Sequence, residues 1–133
     1  MTSLTRHKYF LSVLFLILIA LFACNKAQGK DNFNLTAEEL ITSMKSDSDL
    51  IILDVRTPPE LVGRHGKIEG VINIPVQILE TRINELDDYK DKNIAVICRS
   101  GNRSVNGTKI LLQNGFKAKN VIGGMKAYNK LKW

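Results

Sequence analysis

The stretch NIAVICRSGNRS, residues 93–104, decides the fold expected for this chain. Its first half, NIAVIC, is apolar and rich in β-branched residues, which is typical of a strand buried on both faces. The next segment, SVNGTKILLQNG at 104–115, predicts a helix whose apolar residues 110–112 face inward. Cys98 therefore stands at the carboxyl end of a predicted central strand, directly before a helix.

Other predicted strands and helices alternate along the chain on both sides of this stretch. The run LIILDV at 50–55 predicts a second buried strand, which Thr57-Pro58-Pro59 ends. Further elements are predicted from their periodicity and turn residues: short strands at 71–74 and 119–123, and helices at 35–46 (with a Thr36–Glu39 capping box), at 76–89, and at 123–133 with Tyr128 and Leu131 as its apolar face.

This alternation predicts an α/β fold for residues 35–133. We expect a single domain with a mostly parallel sheet of about five short strands, covered by helices on both faces, because its best strands are apolar throughout. In such sheets, ligands bind at the carboxyl ends of the strands. Cys98 occupies such a position.

Composition and charge narrow the function classes. The chain has 133 residues, of which 44% are apolar and 24% charged, as expected for a globular protein with one core. The formal net charge is +6, but the basic residues are scattered and do not alternate with aromatic ones. Since nucleic-acid-binding proteins carry a basic stripe or a recognisable motif, we expect no nucleic-acid partner.

The first 23 residues have the pattern of an export signal. Arg6 and Lys8 precede an apolar run from Tyr9 to Ala23, which is too short to span a bilayer comfortably. The sequence LFAC that ends at Cys24 resembles a bacterial lipobox. This resemblance implies cleavage before Cys24, lipidation of that residue, a tether over 24–34, and an exported lipoprotein anchored to a membrane and facing the periplasm or cell exterior. An uncleaved anchor helix is the alternative.

The loop CRSGNRS at 98–104 has features that favour a reactive thiolate. The following helix N-terminus, Arg99 and Arg103 supply positive charge, and Gly101 and Asn102 allow the backbone to curl its N–H groups around an anion. With Cys24 lipidated, Cys98 is the only free thiol, and we expect no metal or other cofactor because no ligand set accompanies it. A buried structural cysteine is the alternative.

Four segments in the chain resemble one enzyme family. LDVRTPPEL at 53–61, GKIEGVINIP at 66–75, CRSGNRS at 98–104 and VIGGMKAY at 121–128 are similar, in this order, to the conserved segments of single-domain rhodanese-like sulfurtransferases. The resemblance extends from about Phe33 to Lys132 and implies a rhodanese-like fold.

The resemblance also implies a two-step reaction on Cys98. This catalytic cysteine would take a sulfane sulfur from a small anionic donor, such as thiosulfate or a persulfide, and pass it to an external thiol or another acceptor. The substrate-binding residues would be the rest of the loop: Arg99, Ser100, Gly101, Asn102, Arg103 and Ser104.

Individual side chains near the loop have two readings each. Ser104 either caps the next helix, which we favour, or hydrogen-bonds the thiolate. Asp54 and Arg56, at the end of a neighbouring strand, are expected near the site mainly as a structural ion pair. Glu60 is expected to be a surface or loop-bracing carboxylate rather than a catalyst, and His65 a solvated surface residue rather than a catalytic base.

Two other functions compete with sulfur transfer. A cysteine-dependent phosphatase uses a similar loop, but such loops place five residues between the cysteine and the arginine, whereas four separate Cys98 from Arg103. A non-catalytic rhodanese-like binding module is the second alternative; such modules usually lose the cysteine, which is present in this chain.

Overall fold

The computed structural model describes residues 33–132, which form one five-stranded sheet with flanking helices. The expected signal segment 1–23, the lipidation residue Cys24 and the tether up to residue 32 lie outside the described residues. The first strand includes Asn34, the last residue of the expected tether. Within residues 33–132, no helix is both long enough and apolar enough to cross a membrane.

The elements follow one another in the alternating order predicted from the sequence. The strands are β1 Asn34–Leu35, β2 Ile51–Asp54, β3 Ile72–Asn73, β4 Asn93–Ile97 and β5 Lys117–Val121. The helices are α1 Ala37–Ser46, α2 Pro58–Leu61, α3 Asn102–Gln113 and α4 Gly124–Leu131, together with a 3-10 helix at Ile83–Tyr89. The strands pair in the order β1-β5-β4-β2-β3, and every pairing is parallel, which confirms the predicted fold class.

The central strand β4 contributes side chains to two separate hydrophobic cores, because successive side chains of a strand point to opposite faces. On one face Val96 and Cys98 pack in a cluster with Leu111 of α3, and on the other face Ile97 packs with Met125 of α4. Residues 94–98 are at most 2% exposed. Burial on both faces explains why the β4 sequence is uninterrupted by polar side chains.

The predicted helix at 76–89 is wrong. This segment forms turns followed by the 3-10 helix, and Arg82 N–H is shared between the carbonyls of Ile78 and Leu79 at 3.1 and 3.2 Å. Leu79 and Leu86 are fully buried, but Ile78 is 41% exposed. The segment is rich in β-branched, Asn and Asp residues, which have low helix propensity. It therefore forms no regular α-helix, although both of its leucines are buried.

The apolar faces predicted for α3 and α4 are correct only in part. Leu111 is fully buried, whereas Leu112 is 43% exposed; Tyr128 is buried, whereas Leu131 in the last turn is 42% exposed. Each helix meets the sheet along one narrow stripe. In α3 that stripe consists mainly of small residues, including Gly107, which bring the helix axis close to β4 and leave the next leucine outside.

Candidate active site at the carboxyl end of the sheet

Cys98 immediately follows β4, where the ends of β2 and β5 flank it. The N-terminus of α4 fixes its backbone: Met125 N–H donates to the Cys98 carbonyl at 2.8 Å, and Lys126 N–H donates to the Arg99 carbonyl at 3.1 Å. These two bonds satisfy N–H groups that a helix start leaves unpaired. The loop after Cys98 is therefore attached to α4 as well as to the start of α3.

A tight backbone contact fixes the same loop sterically. Gly124 has φ +54°, and a methyl group on it would overlap the carbonyl oxygen of Cys98 and lie 2.9 Å from the carbonyl carbon of Arg99. Only glycine fits this contact without moving one of the two chain segments. The VIGG segment is thus part of the support of the cysteine loop.

The thiol of Cys98 accepts hydrogen bonds from the loop that follows it. Gly101 N–H lies 3.1 Å from Sγ, and the Ser104 hydroxyl lies 3.4 Å away. Gly101 adopts φ +96°, which turns its N–H back toward the sulfur. Cys98 itself is only 1% exposed, so these donors act where water does not compete with them.

Burial and hydrogen bonding act in opposite directions on the thiol. Burial is the largest single influence and raises the pKa of Cys98. Hydrogen bonds from the Ser104 side chain and from backbone N–H groups of Ser104, Ser100 and Gly101 lower it. Together they outweigh burial, so the pKa of Cys98 lies below its ordinary value and the thiolate forms more readily than in a free cysteine.

Ser104 is a partner of the thiol rather than a helix cap, so the cap that we favoured is wrong. The N-cap of α3 is Gly101, and Ser104 stands inside the first turn. Its hydroxyl lies 2.7 Å from Asn120 Oδ1 and 3.1 Å from the Gly101 carbonyl, besides its contact with Cys98. Asn120, buried in β5, was missed; its only signal in the sequence is a polar residue inside a predicted strand.

The two loop arginines do different things. Arg99 is exposed, while Arg103 donates to Glu60 of α2 through Nη1 at 2.7 Å and Nη2 at 2.6 Å. This contact with Arg103 lowers the pKa of Glu60 to about 2, against the opposing effect of burial, and Thr57 adds further hydrogen bonds. Glu60 therefore forms a partly exposed ion pair with the loop, within the surface or loop-bracing role expected for it.

Asp54 and Arg56 form the expected ion pair behind the loop. Arg56 Nη2 lies 2.6 Å from Asp54 Oδ2, and the two residues are 1% and 0% exposed. The remaining guanidinium donors reach the backbone carbonyls of Glu60 at 3.2 Å and Gly66 at 2.8 Å. Arg56 thus holds the 60–66 segment against the end of β2.

The structure brings together some of the predicted site residues and separates others. Ser100, Gly101 and Ser104 surround the sulfur with donors. Asn102 is exposed at the first position of α3, and Arg103 turns toward Glu60. Among residues 33–132, no three His, Cys, Asp or Glu side chains are grouped to hold a metal ion.

A cavity of about 270 Å³ opens beside the loop. It is lined by Arg56, Glu60, Gly63, Arg64, His65, Arg99 and Lys126. His65 lies on this wall and is partly exposed to solvent, which agrees with the surface position expected for it. A contact distant in sequence holds this wall: Asn129 of α4 donates to the His65 carbonyl at 3.0 Å.

The sequence between Thr36 and Leu131 matches a family model described as a rhodanese-like domain. The chain belongs to the rhodanese family. Its rhodanese-like domain covers nearly all of the described residues, and the cysteine loop lies within it.

Relatives of this rhodanese-like domain cover most of its length. It is 36% identical over 94 residues to a putative sulfurtransferase of Bacillus subtilis, covering 71% of this chain and 87% of the relative. It is 30% identical to a sulfurtransferase of Allochromatium vinosum, covering 71% and 85%. The solved structure of a rhodanese-related protein from Thermoplasma volcanium is similar with a TM-score of 0.66 and 35% identity, covering 74% and 91%.

Proposed function

We propose that this protein is a sulfurtransferase that carries a sulfane sulfur as a persulfide on Cys98. The observation that carries the proposal is the buried thiol with inward donors: Gly101 N–H at 3.1 Å and the Ser104 hydroxyl at 3.4 Å from Sγ. These groups stabilise negative charge on sulfur without a metal. Sulfurtransferase relatives at 36% and 30% identity support the same reaction class.

The reaction needs only the thiolate, a donor and an acceptor. With thiosulfate, the Cys98 thiolate attacks the outer sulfur, its S–S bond breaks, and sulfite leaves with the bonding electron pair. The resulting persulfide anion of Cys98 is stabilised by the loop N–H groups. An external thiolate or cyanide then attacks the terminal sulfur, and Cys98 leaves as a thiolate, ready for another donor. No external oxidant or reductant is required.

Donor binding is expected to involve the positive side chains of the loop. Arg99 is exposed beside the cavity, whereas Arg103 must exchange its contact with Glu60 for one with a donor. Arginine suits this role because its fork of N–H groups matches oxyanions. Thiosulfate presents such oxygens to the loop, whereas a persulfide presents a negatively charged sulfur.

The experiment is sulfur transfer from thiosulfate to cyanide, measured as thiocyanate, with the purified full chain. Wild-type protein is expected to turn over, and Cys98→Ser to be inactive, because serine is not a sulfur carrier. Hydrolysis of an aryl phosphate is measured in parallel. Phosphate release that is lost in Cys98→Ser, without sulfur transfer from any donor, would replace the proposal with a phosphatase. If cells that carry the Cys98→Ala variant keep every phenotype of the wild type, a binding module would be favoured.

We also propose that residues 1–23 direct export and that Cys24 carries the lipid anchor. The support is the basic start, the apolar run to Ala23 and the LFAC sequence. Fractionation of cells that express the full chain is expected to place it with membranes. Cys24→Ala should remove incorporation of a labelled fatty acid, and labelling that persists in this variant would contradict lipidation at Cys24.

A further inference from the structure

The cavity beside the cysteine loop carries an excess of positive charge. Of its charged lining residues, Arg56 is paired with Asp54, and Glu60 is paired with Arg103. Arg64, Arg99 and Lys126 also line it, and within residues 33–132 none of these three forms a salt bridge. Three cations therefore surround one concave space without a carboxylate of their own.

The positive charges of these residues act together on one side chain, His65. His65 lies in the same wall, and its pKa is lowered first by burial and then by Arg64, Lys126, Arg56 and Arg99. Positive charges on three chain segments thus disfavour a further proton there. An anion in the cavity would face the same charges with the opposite sign of interaction.

The cavity walls are held in place by hydrogen bonds. Arg56, only 1% exposed, donates to the Gly66 carbonyl at 2.8 Å, and Asn129 donates to the His65 carbonyl at 3.0 Å. Lys126 N–H donates to the Arg99 carbonyl at 3.1 Å, which joins the third wall to the cysteine loop. The backbone of the walls is therefore fixed, and binding has to order only the exposed side chains of Arg64, Arg99 and Lys126.

The volume of the cavity indicates an organic ligand rather than an inorganic ion. A volume of about 270 Å³ is close to the lower end of the range in which proteins bind small organic molecules. Thiosulfate has only five heavy atoms and needs no such space. The volume and the three cations fit a molecule with a carbon skeleton and one or more carboxylates.

We propose that this cavity binds the carboxylate end of a low-molecular-weight organic persulfide, which is the sulfur donor. Arg64 and Lys126 are the specificity-determining residues, and Arg99 links them to the reacting cysteine. In the step, the Cys98 thiolate attacks the terminal sulfur of R–S–SH, the donor S–S bond breaks, and the thiolate R–S⁻ leaves with the bonding pair. This inference rests on the proposed sulfurtransferase function.

The test compares kcat/KM for three donors: a carboxylate-bearing persulfide, the same persulfide with its carboxylates esterified, and thiosulfate. In the Arg64→Gln/Lys126→Gln variant, kcat/KM for the carboxylate persulfide is expected to fall roughly tenfold, while the esterified donor changes less than about twofold. Lys45→Gln/Lys109→Gln removes the same charge from exposed sites elsewhere and is the control.

Either of two kinetic results would overturn the inference, and so would a negative binding result. One is an equal loss for the charged and esterified persulfides, and the other is a selective effect on the thiol acceptor instead of the donor. Binding of the S-methyl analogue of the donor thiol, which has no sulfur to transfer, tests the cavity separately by calorimetry. Binding that is lost in the Arg64→Gln/Lys126→Gln variant supports the site even if wild-type protein transfers no sulfur; absence of binding to wild-type protein overturns it.

Discussion

Two arginine–carboxylate pairs stand side by side at the carboxyl end of the sheet, and they differ in burial. Both have a shortest N–O distance of 2.6 Å. The side chains of Arg56 and Asp54 are 1% and 0% exposed, whereas those of Arg103 and Glu60 are 31% and 30% exposed. The same chemistry is therefore fully withdrawn from water in one pair and remains accessible to solvent and substrate in the other.

The difference separates a fixed part of the site from an exchangeable one. Removing one member of a buried pair leaves a charge with no compensation, so such a pair holds its surroundings rigidly. An exposed pair contributes little free energy, and a dissolved anion can compete for its arginine. We infer that the Asp54–Arg56 pair fixes the backbone around the site. In the Glu60–Arg103 pair, by contrast, the arginine can leave its carboxylate and bind an anion next to the cysteine loop.

The largest expected effect comes from breaking the buried pair. Arg56→Met should lower the free energy of unfolding by about 3–5 kcal/mol, because Asp54 stays buried without its partner. The same substitution at the exposed pair, Arg103→Met, should cost about 1 kcal/mol or less. Urea denaturation of both variants measures the difference. Equal losses would show that burial does not distinguish the two pairs.

A contact without charge provides the next test. Gly124→Ala should reduce sulfur transfer about tenfold to a hundredfold, because the new methyl group displaces the backbone of Cys98 and Arg99. Gly115→Ala introduces the same methyl group at φ +82°, with nothing within 4 Å, and controls for backbone strain alone. If the two variants lose the same activity, the support of the loop comes from the ion pairs and not from this packing.

Releasing the exchangeable arginine should have a smaller effect with the opposite sign. Glu60→Gln leaves Arg103 without its charged partner and free to bind a donor oxyanion, so kcat/KM for thiosulfate should rise about threefold. Glu69→Gln, an exposed substitution with the same change of charge, serves as the control. A fall in kcat/KM would mean that the Glu60–Arg103 pair shapes the loop instead of withholding a cation.

The smallest expected effect concerns acid stability. The pKa of Glu60 is lowered to about 2 in the folded protein, so the unfolded chain binds the proton more tightly. The stabilisation is fully present above the ordinary carboxyl pKa and is lost as the pH falls toward about 2. Wild-type protein should therefore lose slightly more stability than Glu60→Gln across this window in urea titrations. Parallel curves would show that the pair contributes nothing to folding.

Features that depend on short segments of sequence could be predicted, and features that depend on distant contacts could not. The parallel sheet and the place of Cys98 follow from apolar strands and an adjacent helix signal. The pairing of Arg103 with Glu60 joins residues 43 positions apart, and the cavity wall at His65 is held by a residue 64 positions away. Nothing in the local pattern of either segment indicates its partner.

The errors in predicted helices have a related cause. The sequence pattern shows which face of a helix is apolar, but the width of its contact with the sheet determines how many of those residues are buried. Leu112 and Leu131 remain exposed because α3 and α4 each contact the sheet along one stripe. At 76–89 two buried leucines fix the chain to the core, and the weak helix propensity of the intervening residues gives turns and a 3-10 helix.

A persulfide on Cys98 would be visible in the intact mass of the protein. The purified protein is incubated with thiosulfate or an organic persulfide, freed of donor and measured at once. We expect a gain of about 32 Da, one sulfur atom, that disappears after cyanide or dithiothreitol and does not form in Cys98→Ser. No gain with either donor, or a gain that persists in Cys98→Ser, would contradict a persulfide on Cys98.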